Sequence, residues 1–149
     1  MPAPPAAVKD LIAKTVTMTH ETIFRLSQGR LLGKIMGMPV VILTTTGRKS
    51  GQRRSTMLTT PVSFGDGLVL VASYGGDPRH PTWFLNLQAN PDVEITRDGS
   101  TRKMRARVAT ADEKAELWPS VIAAYKGYAG YQERTDRDIP LVIVEPVAG

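Results

Sequence analysis

Between Pro39 and Ser55 the chain reads Pro-Val-Val-Ile-Leu-Thr-Thr-Thr-Gly-Arg-Lys-Ser-Gly-Gln-Arg-Arg-Ser: an apolar run, three threonines, then a basic turn bracketed by Gly47 and Gly51. The apolar run is short and rich in β-branched residues, which predicts a buried strand. A strand must be paired and covered, so this stretch commits the chain to a sheet. Glycines allow positive φ angles and close backbone approach, and Arg48, Lys49, Arg53 and Arg54 place four cations within seven residues. Such a turn suits phosphate or carboxylate, which guanidinium groups grip bidentately. A solvated basic hairpin is the alternative on these residues alone. A Walker loop is excluded, because the Lys-Ser pair lacks the required lead from a first glycine.

Further short strands follow. Thr56 to Phe64 reads as a second strand with Pro61 marking an edge or bulge, and Gly65-Asp66-Gly67 is a hairpin signal. Leu68 to Ala72 reads as a central strand. Val93–Thr96 and Lys103–Val108 form a pair around Asp98-Gly99, with Met104, Ala106 and Val108 alternating against Lys103, Arg105 and Arg107 to give one wet face. Ile139 to Val144 is a last buried strand. Pro81 opens a short helix over Thr82–Gln88, and Thr110-Ala111-Asp112-Glu113 is a capping box for another, in which Pro119 is a candidate kink. About six strands with few helices predict a small, mainly β (α+β), mostly antiparallel barrel. Residues 1–26 form a separate piece: a loose tail, then a helix over about 7–26 with Val8, Leu11, Ile12 and Val16 on one face. That helix either packs over the barrel or rests, as a basic amphipathic segment, on a membrane or over a site. Residues 27–149 are the barrel.

Composition narrows the chemistry. The 149 residues include no cysteine, which removes disulfides and thiolate sites, and His20 and His80 lack metal-ligand spacing, so no protein metal site is expected. A net charge of +5 favours an acidic partner. Nucleic acid is disfavoured, since aromatics are 6% of residues and do not interleave with the cations. The N-terminus does not read as a signal peptide, and no stretch reaches the roughly 18 apolar residues of a spanning helix. A cytoplasmic protein, peripheral to a membrane at most, is expected.

Three other stretches carry candidate chemistry. In Ala72-Ser73-Tyr74-Gly75-Gly76 a strand gives way to glycines, so Ser73 and nearby amides either face a ligand or simply end the strand. Thr82-Trp83-Phe84-Leu85-Asn86 offers free N–H groups at a helix start, although Trp83 and Phe84 are more often core residues than ligand platforms. Tyr125, Tyr128 and Tyr131 recur every third residue with Gly127 and Gly130 among them. The glycines argue against a regular packed helix there. Phenols can stack on a flat substrate, donate a hydrogen bond, or act as weak acids.

Taken together these motifs resemble the deazaflavin-dependent nitroreductase family of actinobacteria, which uses reduced coenzyme F-420. The resemblance spans about Phe24 to Pro146. It rests on Leu-Thr-Thr-Thr-Gly-Arg-Lys-Ser-Gly with Arg54, Ala-Ser-x-Gly-Gly at 72–76, Pro-x-Trp-x-x-Asn-Leu at 81–87, and Tyr-x-x-Tyr-x-x-Tyr with Thr-Asp-Arg-x-Ile-Pro at 125–140. It implies a split β-barrel like that of the FMN-binding pyridoxine-phosphate oxidases. It also implies a cofactor whose phosphate and polyglutamate tail are held by Arg48, Lys49 and Arg54, and whose ring lies among Met57, Ala72, Ser73, Tyr74, Thr82, Trp83 and Asn86. By the same resemblance Ser73, Tyr125, Tyr128 and Tyr131 line the substrate pocket, with Tyr128 orienting or protonating the acceptor. The implied reaction is hydride transfer to a quinone, nitroaromatic or enone. Met57 replaces a common proline and Tyr74 a lysine, and the second change weighs against nitroimidazole activation. FMN as the cofactor, or a non-catalytic carrier or sensor, are the alternative readings.

Overall fold

The structure is a computed structural model that describes residues 34, 35 and 37–147. The helix expected over 7–26, with His20, lies outside the described residues. Eight strands are described: β1 (Lys34–Ile35), β2 (Met38–Thr46), β3 (Arg53–Thr59), β4 (Val62–Phe64), β5 (Gly67–Val71), β6 (Asp92–Arg97), β7 (Ser100–Val108) and β8 (Leu141–Pro146). Seven of them pair antiparallel in the order β3-β2-β6-β7-β8-β5-β4, and β1 pairs with the start of β2.

The two ends of that order, β3 and β4, are consecutive in the chain and separated by Thr60 and Pro61 alone. Laid flat, seven strands would hold their edges about 28 Å apart. Three residue steps reach about 10 Å. The sheet therefore curls until its edges meet, giving an antiparallel half-barrel split along a seam at Thr60. Buried Thr60 fastens both sides: its N–H donates to Pro39 O of β2 (2.9 Å) and its hydroxyl to Val69 O of β5 (2.9 Å). The single strand expected over Thr56–Phe64 is thus two strands at opposite ends of the sheet, because Pro61 has no N–H to continue a ladder.

The continuous apolar runs follow from layers on both faces of the sheet. In β8, Val142 and Val144 point inward with Val41, Leu43, Leu68 and Leu70, while Leu141 and Ile143 point outward with Val69 and Val71. Helix α1 (Thr82–Ala89) closes the inner core with Phe84 and Leu87. Helices α2 (Ala111–Ala124) and α3 (Gly127–Glu133) cover the outer face through Val121 and Tyr128. The capping box at Thr110 and Glu113 forms in both directions, and α2 continues through Pro119. Burying these large side chains in each layer, at about 1.5–3 kcal/mol apiece, is the main term holding the layers together.

The tyrosine segment differs from expectation: Tyr128 and Tyr131 lie on a regular helix despite Gly127 and Gly130. Packing explains it. A Cβ at Gly127 would stand 2.4 Å from the ring of Tyr125, so the glycine makes room for that ring. The helical cost of about 1 kcal/mol per glycine is smaller than the return from burying a tyrosine ring.

Candidate functional site

The end of β2, strand β3, the turn at 73–77, the start of α1, and α3 surround an open cleft of about 1260 Å³. Every candidate residue from the sequence except Ala72 lines it. The side chain of Ala72 is fully buried in the inner core and its carbonyl is taken by Arg137, so it does not reach the cleft. No cluster of metal-ligating side chains occurs among the described residues.

One end of the cleft is cationic. The turn between β2 and β3 is fixed by Gly47 N–H to Gln52 O (2.7 Å) and Gly51 N–H to Gly47 O (2.9 Å), with Gly51 at φ +72°. Arg53 is diverted from the cleft: it donates to Thr46 Oγ1 (2.8 Å) and pairs with Glu94 (3.2 Å). Arg48, Lys49 and Arg54 are exposed and line the cleft, and among the described residues none of the three is paired with a carboxylate. Buried Asn86 on α1 anchors this turn. Its Oδ1 accepts from Arg48 N–H (3.1 Å) and its Nδ2 donates to Thr45 Oγ1 (3.4 Å).

The middle of the cleft is the turn after β5. Tyr74, Gly75 and Gly76 have φ of 47°, 63° and 83°, three left-handed residues in a row, and Tyr74 is a residue type that rarely adopts this conformation. Gly76 is also needed for contact: a Cβ there would stand 2.7 Å from Tyr131 O of α3. Ser73 is buried, and Arg79 stacks 5.5 Å from the ring of Tyr74. Thr82, Trp83 and Met57 complete the walls, with Trp83 packed on the inner core and Met57 on Val40 and Ile42.

The other end is the tyrosine wall. The ring of Tyr125 meets that of Tyr128 edge-on at 5.1 Å, and Tyr131 lies 6.2 Å from both. The Tyr125 and Tyr131 hydroxyls are 3.3 Å apart, and this bond together with burial pushes the Tyr131 phenol up to about 12. Tyr128 is 6% exposed, and burial raises its pKa as well. Its hydroxyl shares a 3.0 Å hydrogen bond with Thr59 of β3. With their pKa values raised, Tyr128 and Tyr131 are neutral at ordinary pH.

Three contributors escaped the sequence reading. Thr59 fixes the Tyr128 hydroxyl. Arg134 lines the cleft with its guanidinium 5.5 Å from the Tyr131 ring. Arg137 sits behind the turn with three carbonyls on its guanidinium. The Thr-Asp-Arg motif held the signal for Arg137, but nothing local connects residue 137 to residues 72–77.

A sequence model of the F420H(2)-dependent quinone reductase family matches residues 16–146. The chain is 44% identical over 132 residues to an F420H(2)-dependent quinone reductase of Mycobacterium tuberculosis strain H37Rv, covering 84% of this chain and 86% of that protein. Among solved structures it resembles an F420-H2 dependent reductase at TM-score 0.65 and 42% identity, over 72% of this chain and 94% of the other. A heme storage protein of Vibrio cholerae shares the fold alone, at TM-score 0.52 and 19% identity over 74% of this chain and 82% of the other.

Proposed function

Because this chain belongs to the F420H(2)-dependent quinone reductase family, we propose that its cleft holds coenzyme F420 by the acidic tail on Arg48, Lys49 and Arg54 and presents a quinone beside the tyrosine wall. It is an F420-dependent reductase, and quinone is the acceptor class that goes with the family. The observation that carries the assignment of the ends is their asymmetry. Three cations, without carboxylate partners among the described residues, stand at one end, and three phenols with Arg134 beside them at the other.

The residues fit the coenzyme. A phosphate with a chain of carboxylates needs exposed, unpaired cations, and guanidinium groups meet such oxygens bidentately. When bound, the reduced deazaflavin supplies a hydride from C5. The chain supplies position and electrostatics. Asn86 holds the cationic turn, and the turn at Ser73–Asp77 with Thr82 and Trp83 forms the walls beside the ring. Ser73 and Tyr128 are the donors placed for an acceptor oxygen that gains charge. Loss of one such donor typically costs on the order of 10²-fold in rate. Thr59 serves by accepting from or donating to the Tyr128 hydroxyl; when Thr59 donates, the phenol proton has only the weak acceptor Met38 Sδ (3.9 Å) to give up before it faces the substrate oxygen.

Nitroaromatics and enones share the two required features, a flat body and an oxygen that gains charge, and extend the acceptor range. Tyr74, a bulky ring at the turn, favours quinones over nitroimidazoles. No described helix is long and apolar enough to cross a membrane. A lipid-soluble quinone is then met at a bilayer surface, a role that suits the basic amphipathic pattern of residues 7–26.

The test is a titration of the protein with F420 and with FMN, followed by oxidation of the reduced coenzyme against a panel of quinones, nitroaromatics and enones. Binding of F420 in preference to FMN and fastest oxidation by a quinone are expected. Binding without oxidation by any acceptor would leave a carrier instead of an enzyme.

A further inference from the structure

The wall of tyrosines and the turn at Ser73–Asp77 come from distant parts of the chain, yet one side chain joins them. The Arg137 guanidinium donates through Nε to Asp77 O (2.9 Å), through Nη1 to Ala72 O (3.1 Å) and through Nη2 to Ser73 O (2.8 Å). Nη1 also lies 3.3 Å from His80 Nδ1; arginine has no acceptor, so this nitrogen of His80 carries the lone pair. On its other side, the main chain of Arg137 is tied to α3. Gln132 Nε2 donates to Arg137 O (2.8 Å), and Gln132 Oε1 accepts from Ile139 N–H (3.0 Å).

We propose that Arg137 is a positioning residue, which sets the distance between the turn beside the coenzyme ring and the tyrosine wall that receives the acceptor. The inference rests on the functional reading above. The turn is closed within itself by Gly76 N–H to Ser73 O (2.9 Å) and Asp77 N–H to Tyr74 O (3.1 Å), yet it holds Tyr74 in the left-handed region, a conformation that persists only where the surroundings fix it. Its end carbonyls converge on a single planar fork, a geometry that a lysine ammonium cannot reproduce. Arg137 itself is absent from the cleft lining, so it acts through Ser73 and the neighbouring backbone. A displacement of about 1 Å in such a support can cost on the order of 10²-fold in rate.

Arg137→Lys and Arg137→Ala are compared with wild type for F420 affinity, for kcat and KM with menadione, and for amide exchange at residues 73–77. In both variants kcat falls on the order of 10²-fold, F420 affinity stays within about threefold, and exchange at 73–77 quickens while that of the β8 amides does not. Guanidinium chloride at millimolar concentration restores at least tenfold of the loss in Arg137→Ala, and sodium chloride does not. Wild-type kcat in Arg137→Lys, an equal loss of F420 affinity, or a loss that guanidinium leaves untouched would overturn the proposal. If wild-type protein fails to oxidise the coenzyme, the functional reading is what has failed. Amide exchange needs no coenzyme, and unchanged exchange at 73–77 in Arg137→Ala sinks the clamp by itself.

Discussion

The two ends of the cleft are built in opposite ways. At the cationic end, Arg48, Lys49 and Arg54 are exposed and lie within seven residues of one another on a hairpin closed by two bonds within residues 47–52 and tied to the rest of the fold through Arg48 N–H on Asn86. At the tyrosine end, Tyr128 is 6% exposed, and its hydroxyl partner, Thr59, is 69 residues away. The first end is a display of charge on a local turn. The second is a by-product of packing, in which a helix, a sheet edge and a left-handed turn must all be in place. Affinity for a polyanion can be carried by loosely held cations, since Coulomb attraction falls slowly with distance. Orientation of a reacting oxygen tolerates no such slack.

Neutralising the first end should have the largest effect. The combined substitution of Arg48, Lys49 and Arg54 by alanine is expected to weaken F420 binding on the order of 10³-fold at low salt, about tenfold for each charged contact. The loss should shrink markedly at 0.5 M salt, about where the screening length falls to a few ångströms. At saturating coenzyme kcat should change little. A loss of equal size at both salt concentrations would mean that the turn acts through shape. Tyr128→Phe should do the reverse, lowering kcat with a quinone on the order of 10²-fold and leaving affinity and its salt dependence alone. Thr59→Val keeps the shape and removes the Tyr128 partner; it should lower kcat by a smaller factor, about tenfold, because the phenol remains but loses its fixed orientation. If Thr59→Val is as slow as Tyr128→Phe, the hydroxyl of Thr59 has a role of its own.

The same contrast governs what the sequence disclosed. Strands announced themselves through runs such as Val40–Leu43 and Leu141–Val144, because residues buried on both faces leave a continuous apolar signature. The capping box at Thr110 and Glu113 was legible for a similar reason, all its partners lying within four residues. The seam was not. Pro61 signalled an interruption, but only the pairing of β4 with β5 and of β3 with β2 places the two halves at opposite sheet edges. Among the site residues, the cations stood out as a cluster, whereas the diversion of Arg53 to Glu94 depends on the β2–β6 pairing. The glycines near the tyrosines misled the helix reading, since Gly127 answers to the Tyr125 ring, a contact that no propensity scale contains.

The smallest expected effect probes the support of the tyrosine wall from outside. Glu113 caps α2 and at the same time receives Arg107 of β7 at 2.7 and 2.9 Å, and Arg107 also donates to Glu145 (3.1 Å). The hydrogen bonds from Arg107, and then that from the Thr110 N–H, pull the Glu113 carboxyl down to about 2. A carboxyl whose folded pKa lies below its unfolded value of about 4.3 stabilises the fold at every pH above that value. The contribution is lost as pH falls from about 4.3 towards 2, where the carboxylate takes up its proton. Glu113→Gln retains an acceptor for the Thr110 N–H but has no charge to lose. Its melting temperature should therefore lie slightly below that of wild type at pH 7, and the two should converge as pH is lowered towards 2. The pair is solvent-exposed, so the gap at pH 7 should be small and should narrow further in high salt. Because α2 packs on α3, the tyrosine wall should feel this loss before the cationic hairpin does. Tyrosine fluorescence of the wild-type protein is the local readout between pH 4 and 2, and parallel acid limbs in the two proteins would remove Glu113 from the support of the wall.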